Sequence, residues 1–298
     1  MPSWSSLQPF IPIGVALGGV YALSGVGMVV LYRATGVLNL AFGAVGAMGA
    51  LIAWTLINSD GVPPGLAYII AVMFGGVVTL AYGMVFGPAL AARDPLVKAV
   101  ATLGLALVLL GAMSWIWSNG DITRSITFPT DTETAFNVGQ VGVEWTQVIG
   151  LAFGVVMTVG TTVFLRVTKI GTAMRALADD REITATLGVP VRRVEAAAWL
   201  GSGLISGIAG LLLADLVTLD ASTLTFLVIF TVSAALIARL RSIPLTFVAA
   251  IVIGLVDNLI TPTSITNFKD MTPFVLAVAA LLFVARGRQY SFARGGIR

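Results

Sequence analysis

The chain has 298 residues, 57% of them hydrophobic and only 10% charged, with a net charge of +3 and a mean hydropathy of +0.98. A soluble domain of this length cannot hide so much apolar surface, so the bilayer is its natural solvent and its spanning elements must be helices or a closed barrel. Histidine and cysteine are both absent. This removes Ser-His-Asp and Cys-His catalysis, disulfides and most zinc sites, so no catalytic or metal-ligating residue is expected. The small net charge is accounted for by topology and calls for no nucleic-acid partner.

Nine apolar runs follow one another at 10–32, 36–57, 65–87, 96–118, 145–166, 196–214, 224–240, 243–260 and 271–285. They are 15–23 residues long and lack period-2 alternation, which selects helices over a barrel. The expected fold is an all-α integral membrane protein, a polytopic bundle of 8–9 transmembrane helices in one domain spanning 1–298. The first nine residues carry no charge, and the first run is read as a retained helix rather than a cleaved signal peptide. The run at 36–57 starts just after the first, with Gly36 and Asn39 between them. The run at 224–240 ends in Arg239 and meets the next across Arg241, Ser242 and Pro244. Either pair can be a broken or re-entrant helix lining a cavity, hence the count of eight or nine. Segment 119–143 is polar and rich in Thr and Asp. It is expected outside the membrane as a solvated loop, with a lid or docking surface as the alternative.

The charges orient the chain. With the loop 168–195 in the cytoplasm, fifteen of the seventeen Lys and Arg residues face inward, and only Arg124 and Lys269 face outward. Such asymmetry is the positive-inside signal. The N-terminus is then outside and the C-terminus cytoplasmic.

That loop reads TKIGTAMRALADDREITATLGVPVRRVE. Met174, Leu177, Ile183 and Leu187 fall near one helical face, with Asp179, Asp180, Arg181 and Glu182 opposite. The pattern predicts a short amphipathic helix within 173–187, closed by Gly188 and prevented from continuing by Pro190. Four consecutive charges disfavour a helix that merely rests on lipid. A P-loop needs a lysine followed by Ser or Thr, and none of Lys98, Lys169 and Lys269 qualifies. No cofactor is expected on this chain, and any ATP is used by a partner subunit.

Gly171-Thr-Ala-Met-Arg175-Ala176, then Asp180, Glu182 and Leu187-Gly188-Val189, resembles the cytoplasmic loop of permease subunits of branched-chain amino-acid ABC transporters. The spacing of Glu182 and Gly188 is also similar to the coupling loop of ABC importers in general. Tyr21-Ala22-Leu23 and Gly36 to Gly43 look like the family's opening helix pair, Ser202 to Gly210 like the helix after the loop, and Ser242-Ile243-Pro244 with Gly254-Leu255-Val256-Asp257 like its late segment. These stretches are collinear over most of the chain.

The resemblance implies a type II-like ABC importer permease in a bacterial inner membrane. Its partners would be a second permease subunit in a heterodimer, two ATP-binding subunits and an extracytoplasmic substrate-binding protein. It also implies that Arg175, Asp179, Asp180, Arg181, Glu182, Leu187 and Gly188 couple to the ATPase. The chain departs from the family's pattern at Phe42 and Ala44, which stand where a histidine and an acidic residue are usual. It departs again at Ile237-Ala238-Arg239-Leu240-Arg241, which replaces a glycine-rich stretch, and at Leu245, which replaces glycine.

Polar and small residues within the runs are the candidates for a translocation path: Asn39, Phe42, Gly43, Gly46, Ser206, Ser233, Asp257 and Asn258. Gly43, Gly46 and Gly49 share one stripe, and Gly203, Gly207 and Gly210 another. Helix packing is the favoured reading of these stripes, and a pore face the sharper one. Thr102, Ser114, Thr158, Thr161, Ser202, Ser206, Thr231 and Ser233 are expected to bond carbonyls one turn back. The rival functions are a permease of the same class for a sugar, urea or amide, and a stand-alone secondary transporter or channel. The latter is disfavoured because mid-span charges are nearly absent. A membrane-embedded enzyme is disfavoured by the lack of His, Cys and clustered carboxylates within the spans.

Overall fold

A computed structural model describes residues 7–117, 124–126, 128, 134–138, 141–262, 271, 274–276 and 278–279. Long helices dominate these residues, as apolar runs in lipid require, because only intrahelical bonding satisfies every backbone group there. In chain order they are α1 (Phe10–Thr35), α2 (Phe42–Asn58), α3 (Pro64–Leu90), α4 (Pro95–Ile116), α5 (Trp145–Val167), α6 (Lys169–Asp179), α7 (Arg181–Thr186), α8 (Val191–Leu216), α9 (Ala221–Phe226), α10 (Val228–Ile237) and α11 (Ile243–Ile260). Six of them, α1, α3, α4, α5, α8 and α11, are long and apolar enough to cross a membrane. The ninth expected run, 271–285, lies largely outside the described residues, as do most of 119–133 and the C-terminal arginines.

The centre of the bundle is α1, which is apolar on every face and buried on every face, the pattern of a helix surrounded by others. Glycines set how close its neighbours come. A Cβ on Gly18 would lie 2.7 Å from Ile251 Cα of α11, and one on Gly19 would lie 2.7 Å from Leu151 Cα of α5. Tyr21 stacks on Phe230 of α10 with ring centroids 5.0 Å apart. On the other side α3 packs along α8, where the Thr79 hydroxyl donates to the Trp199 carbonyl at 2.8 Å and Trp199 is buried beside Tyr82. Broad apolar faces of α3, α4 and α5 stay exposed, including Ile69, Val77, Leu107, Val108, Val156 and Val163.

Three expectations need correction. The run 224–240 is not one helix: the chain breaks at Leu227 between α9 and α10, and α10 ends at Ile237. The amphipathic segment is not one helix either. Asp180 adopts φ −154°, ψ 113°, ending α6, and its carboxylate accepts from the Ile183 N–H at 2.9 Å to start α7. An aspartate satisfies orphan N–H groups at a helix start better than it serves mid-helix, which explains the break. Helix α8 begins at Val191, five residues before its apolar run, so Arg192, Arg193 and Glu195 are helical rather than loop.

The fold is all-α in its spans, as expected, and one short hairpin accompanies them: β1 (Thr134–Val138) pairs antiparallel with β2 (Val141–Glu144), with Asn137 opposite Gly142. The described residues near the hairpin pack against the bundle. Ile126 is buried, the Leu219 N–H donates to the Arg124 carbonyl, the Phe128 N–H donates to an Asp215 oxygen at 3.0 Å, and the Arg124 guanidinium lies over the Trp54 ring.

Candidate functional site

The charged segment α6–α7 is clamped to the ends of the spanning helices. Thr168 caps α6 by accepting from the Gly171 N–H at 3.0 Å, and Gly171 leaves no room for a side chain against the end of α5. Met174 and Leu177 are buried against the bundle, but Ile183 is 60% exposed and Leu187 77% exposed. The expected single apolar face is thus divided: its first half anchors, and its second half faces away from the chain's own core. Glu182, Asp179 and Asp180 are exposed on the same segment, and Arg175 is half-buried with its guanidinium on the Thr172 hydroxyl at 3.4 Å. Gly188 sits at φ 82°, and its N–H donates to the Ala185 carbonyl at 3.0 Å. A left-handed residue is what a glycine permits at a helix end.

Arg181 does not share the outward direction of its neighbours. Its guanidinium pairs with the Glu195 carboxylate in the second turn of α8, with side-chain exposures of 40% and 14%. Lys98 of α4, only 8% exposed, lines the same small cavity, together with Thr35 and Trp199. The pair is the one ion pair among the described residues, and it ties α7 directly to a spanning helix. Sequence reasoning missed Glu195 and Lys98 as members of this site. The only signal was an unpaired-looking acid in a basic stretch, and no spacing rule joins it to Arg181.

A second cluster lies where α2, α8, α9 and α10 meet. Phe42, Gly43, Gly46 and Ser206 converge there with Leu224, Val228 and Thr231 around a cavity of about 10 Å³. That is room for roughly one water, so these residues form a closed helix joint. The Ser206 hydroxyl donates to the Phe42 carbonyl at 2.6 Å, bridging two helices instead of bonding one turn back. A Cβ on Gly46 would lie 2.6 Å from the Ser206 carbonyl oxygen, and one on Gly75 of α3 would lie 2.5 Å from the Gly203 carbonyl oxygen. The two glycine stripes are therefore contact lines between backbones. Thr158 does bond its own helix, at the Gly154 carbonyl.

The remaining path candidates do not join this cluster. Asn39 is buried at the entry to α2, where its carbonyl oxygen accepts from the Ala41 N–H at 3.0 Å. The neighbouring bend is held from α4: the Thr102 hydroxyl accepts from the Leu40 N–H and donates to the Leu38 carbonyl. Ser233 is buried on α10 without lining the cavity. Asp257 and Asn258 are buried on α11, the Asn258 amide donating to the Gly254 carbonyl at 3.0 Å. Among the described residues no cluster of acids could hold a metal.

Comparison with known proteins then supplies the context. A probable branched-chain amino acid transport permease protein LivH from Methanocaldococcus jannaschii is 25% identical over 285 residues, covering 92% of this chain and 89% of the relative. The high-affinity branched-chain amino acid transport system permease protein LivH of Escherichia coli K12 is 24% identical over 289 residues, covering 92% of each. A fructose import permease protein FruG of Bifidobacterium longum is 27% identical, but over only 59% of this chain and 51% of the relative. The family profile described as the permease component of the branched-chain amino acid transport system matches residues 11–285. With a match spanning nearly all of its helices, this multi-pass membrane chain belongs to the family of branched-chain amino acid transport system permease components.

Proposed function

We propose that this chain is a transmembrane subunit of an ATP-driven importer for branched-chain amino acids. It works with a second, non-identical permease, two ATP-binding subunits and an extracytoplasmic substrate-binding protein. It sits in the inner membrane with its N-terminus outside and its C-terminus in the cytoplasm. The observation that carries the reading is similarity to branched-chain amino acid permeases over 92% of the chain, against partial similarity to a sugar permease.

The chain supplies the passage and the coupling, and ATP is hydrolysed elsewhere. Helix α7 presents Ile183, Leu187 and Glu182 to a groove of the ATPase, an apolar anchor beside a charge. Its movement passes through Arg181 to Glu195 and so into α8. Helix α8 carries Ser206 and the glycines that close the joint with α2 and α3. Tilting α8 loosens a contact built on backbone approach, because such a contact has no side chains to flex.

The test is co-purification from native membranes followed by uptake in proteoliposomes. Recovery of a Walker-containing ATPase and ATP-dependent uptake of leucine, isoleucine or valine is the expected result. A chain that purifies alone and moves solute without ATP rejects the reading. ATP-driven uptake of a sugar but no amino acid rejects the substrate class alone. A tag at Arg298 should be shielded from outside intact cells and one near Asp131 accessible; the reverse overturns the orientation.

A further inference from the structure

A cavity of about 770 Å³ opens at the end of the bundle that carries α6, and its walls are unusually basic. Arg33 comes from the last turn of α1, and Arg239 and Arg241 from the link between α10 and α11. Tyr32 and Gly36 complete that side, and Asp179 is the one acid on the wall among the described residues. The one ion pair among the described residues lies elsewhere, so none of the three guanidiniums pairs with a carboxylate among the described residues.

The backbone is strained to make this arrangement. Arg239 and Leu240 both adopt the left-handed conformation, φ 54° and 56°. They close α10 with paired bonds, the Arg239 N–H to the Leu236 carbonyl and the Leu240 N–H to the Ala235 carbonyl, both 2.8 Å. This is the Schellman closure, in which glycine normally takes the left-handed place. An arginine there is a conformational cost, and such costs concentrate where a local geometry is used. The use here is to bring two guanidiniums from the link onto the wall that already holds Arg33.

We infer that this cavity binds a phosphate group, and specifically the headgroup of an anionic phospholipid. Three guanidinium forks offer paired donors matched to phosphate oxygens. Arg33 lies in the last turn of one candidate span and Arg241 two residues before another begins. That places the cavity at headgroup depth, where basic pockets between spanning helices hold acidic lipids. The inference is independent of the transported substrate and relies on the proposed orientation only for the choice of leaflet.

The experiment uses the purified full chain in nanodiscs of phosphatidylcholine with or without phosphatidylglycerol, together with native mass spectrometry of retained lipid. Phosphatidylglycerol should raise the melting temperature of the wild type and remain bound. Each guanidinium removed, as in Arg33→Gln or Arg241→Gln, should weaken retention roughly 10-fold. Arg239→Gly removes a guanidinium and relieves the left-handed strain together. It should therefore melt higher than wild type in phosphatidylcholine yet gain less from phosphatidylglycerol, a combination that misfolding cannot mimic. Equal lipid response in wild type and all three variants overturns the inference. So does saturable stabilisation by millimolar inorganic phosphate without any lipid preference, which assigns the cavity to a soluble anion. Unchanged lipid binding with loss of ATPase co-purification assigns the arginines to the protein partner instead.

Discussion

Replacing Glu195 by glutamine tests whether the α7–α8 link transmits force. The substitution keeps the side chain's shape and removes the charge that holds Arg181. Exposed pairs contribute about 0.2–1 kcal/mol, whereas breaking a fully buried pair costs about 3–5 kcal/mol. With Arg181 40% exposed and Glu195 14% exposed, this pair falls between those limits. An intermediate loss of about 1–3 kcal/mol corresponds to a 5- to 150-fold shift in the attachment of α7 to α8. Lys98, buried in the same cavity, is left with a neutral neighbour and adds to the loss. The assay is a reconstituted complex in which ATP hydrolysis and amino acid uptake are measured on the same vesicles. Hydrolysis should persist while uptake per ATP falls about tenfold or more. The double variant Arg181→Gln with Glu195→Gln should be no worse than either single change, because one link cannot be broken twice. Wild-type uptake per ATP in Glu195→Gln, or strict additivity of the two changes, refutes the reasoning.

Further tests follow from other elements. Gly188→Pro cannot occupy φ 82° because proline is held near −65°, so it should disorder the exit from α7 and uncouple hydrolysis from uptake with the chain still membrane-inserted. Glu182→Lys should uncouple without that backbone change, and normal coupling in both would remove α7 from the mechanism. Gly46→Ala forces a Cβ to within 2.6 Å of the Ser206 carbonyl oxygen and should cost about 1–3 kcal/mol, read as a lower melting temperature in detergent. No change would mean that α2 and α8 are not held at this distance. Asp220 caps α9, and its bond from the Ser222 hydroxyl, with help from the Thr223 N–H, holds its carboxyl below the usual aspartate range. A depressed value means that its stabilisation is complete above about pH 4 and is lost as pH falls through the folded-state value. Wild type and Asp220→Ala should therefore differ in melting temperature at neutral pH and converge in acid; a constant difference would refute the ionic contribution.

Membrane residence and helical spans were both decided by composition and run length. These are properties summed along the chain, and a bilayer imposes them on any sequence of this hydropathy. The stop just after α7 was equally legible, since a glycine two residues before a proline leaves few alternatives. Where the chain breaks within apolar stretches was not legible. Leu227 interrupts α9–α10 with no glycine or proline, and Asp180 could have continued a helix or capped one. Which residues meet was decided only by the packed structure. Arg181 finds Glu195, Ser206 finds Phe42, and Thr102 finds Leu38 through helix approach distances that no period in the sequence encodes. Lipid and protein interior are equally apolar, so hydropathy reports that a residue is out of water but not which neighbour it faces. The three-dimensional fit of small residues and isolated polar groups makes that choice.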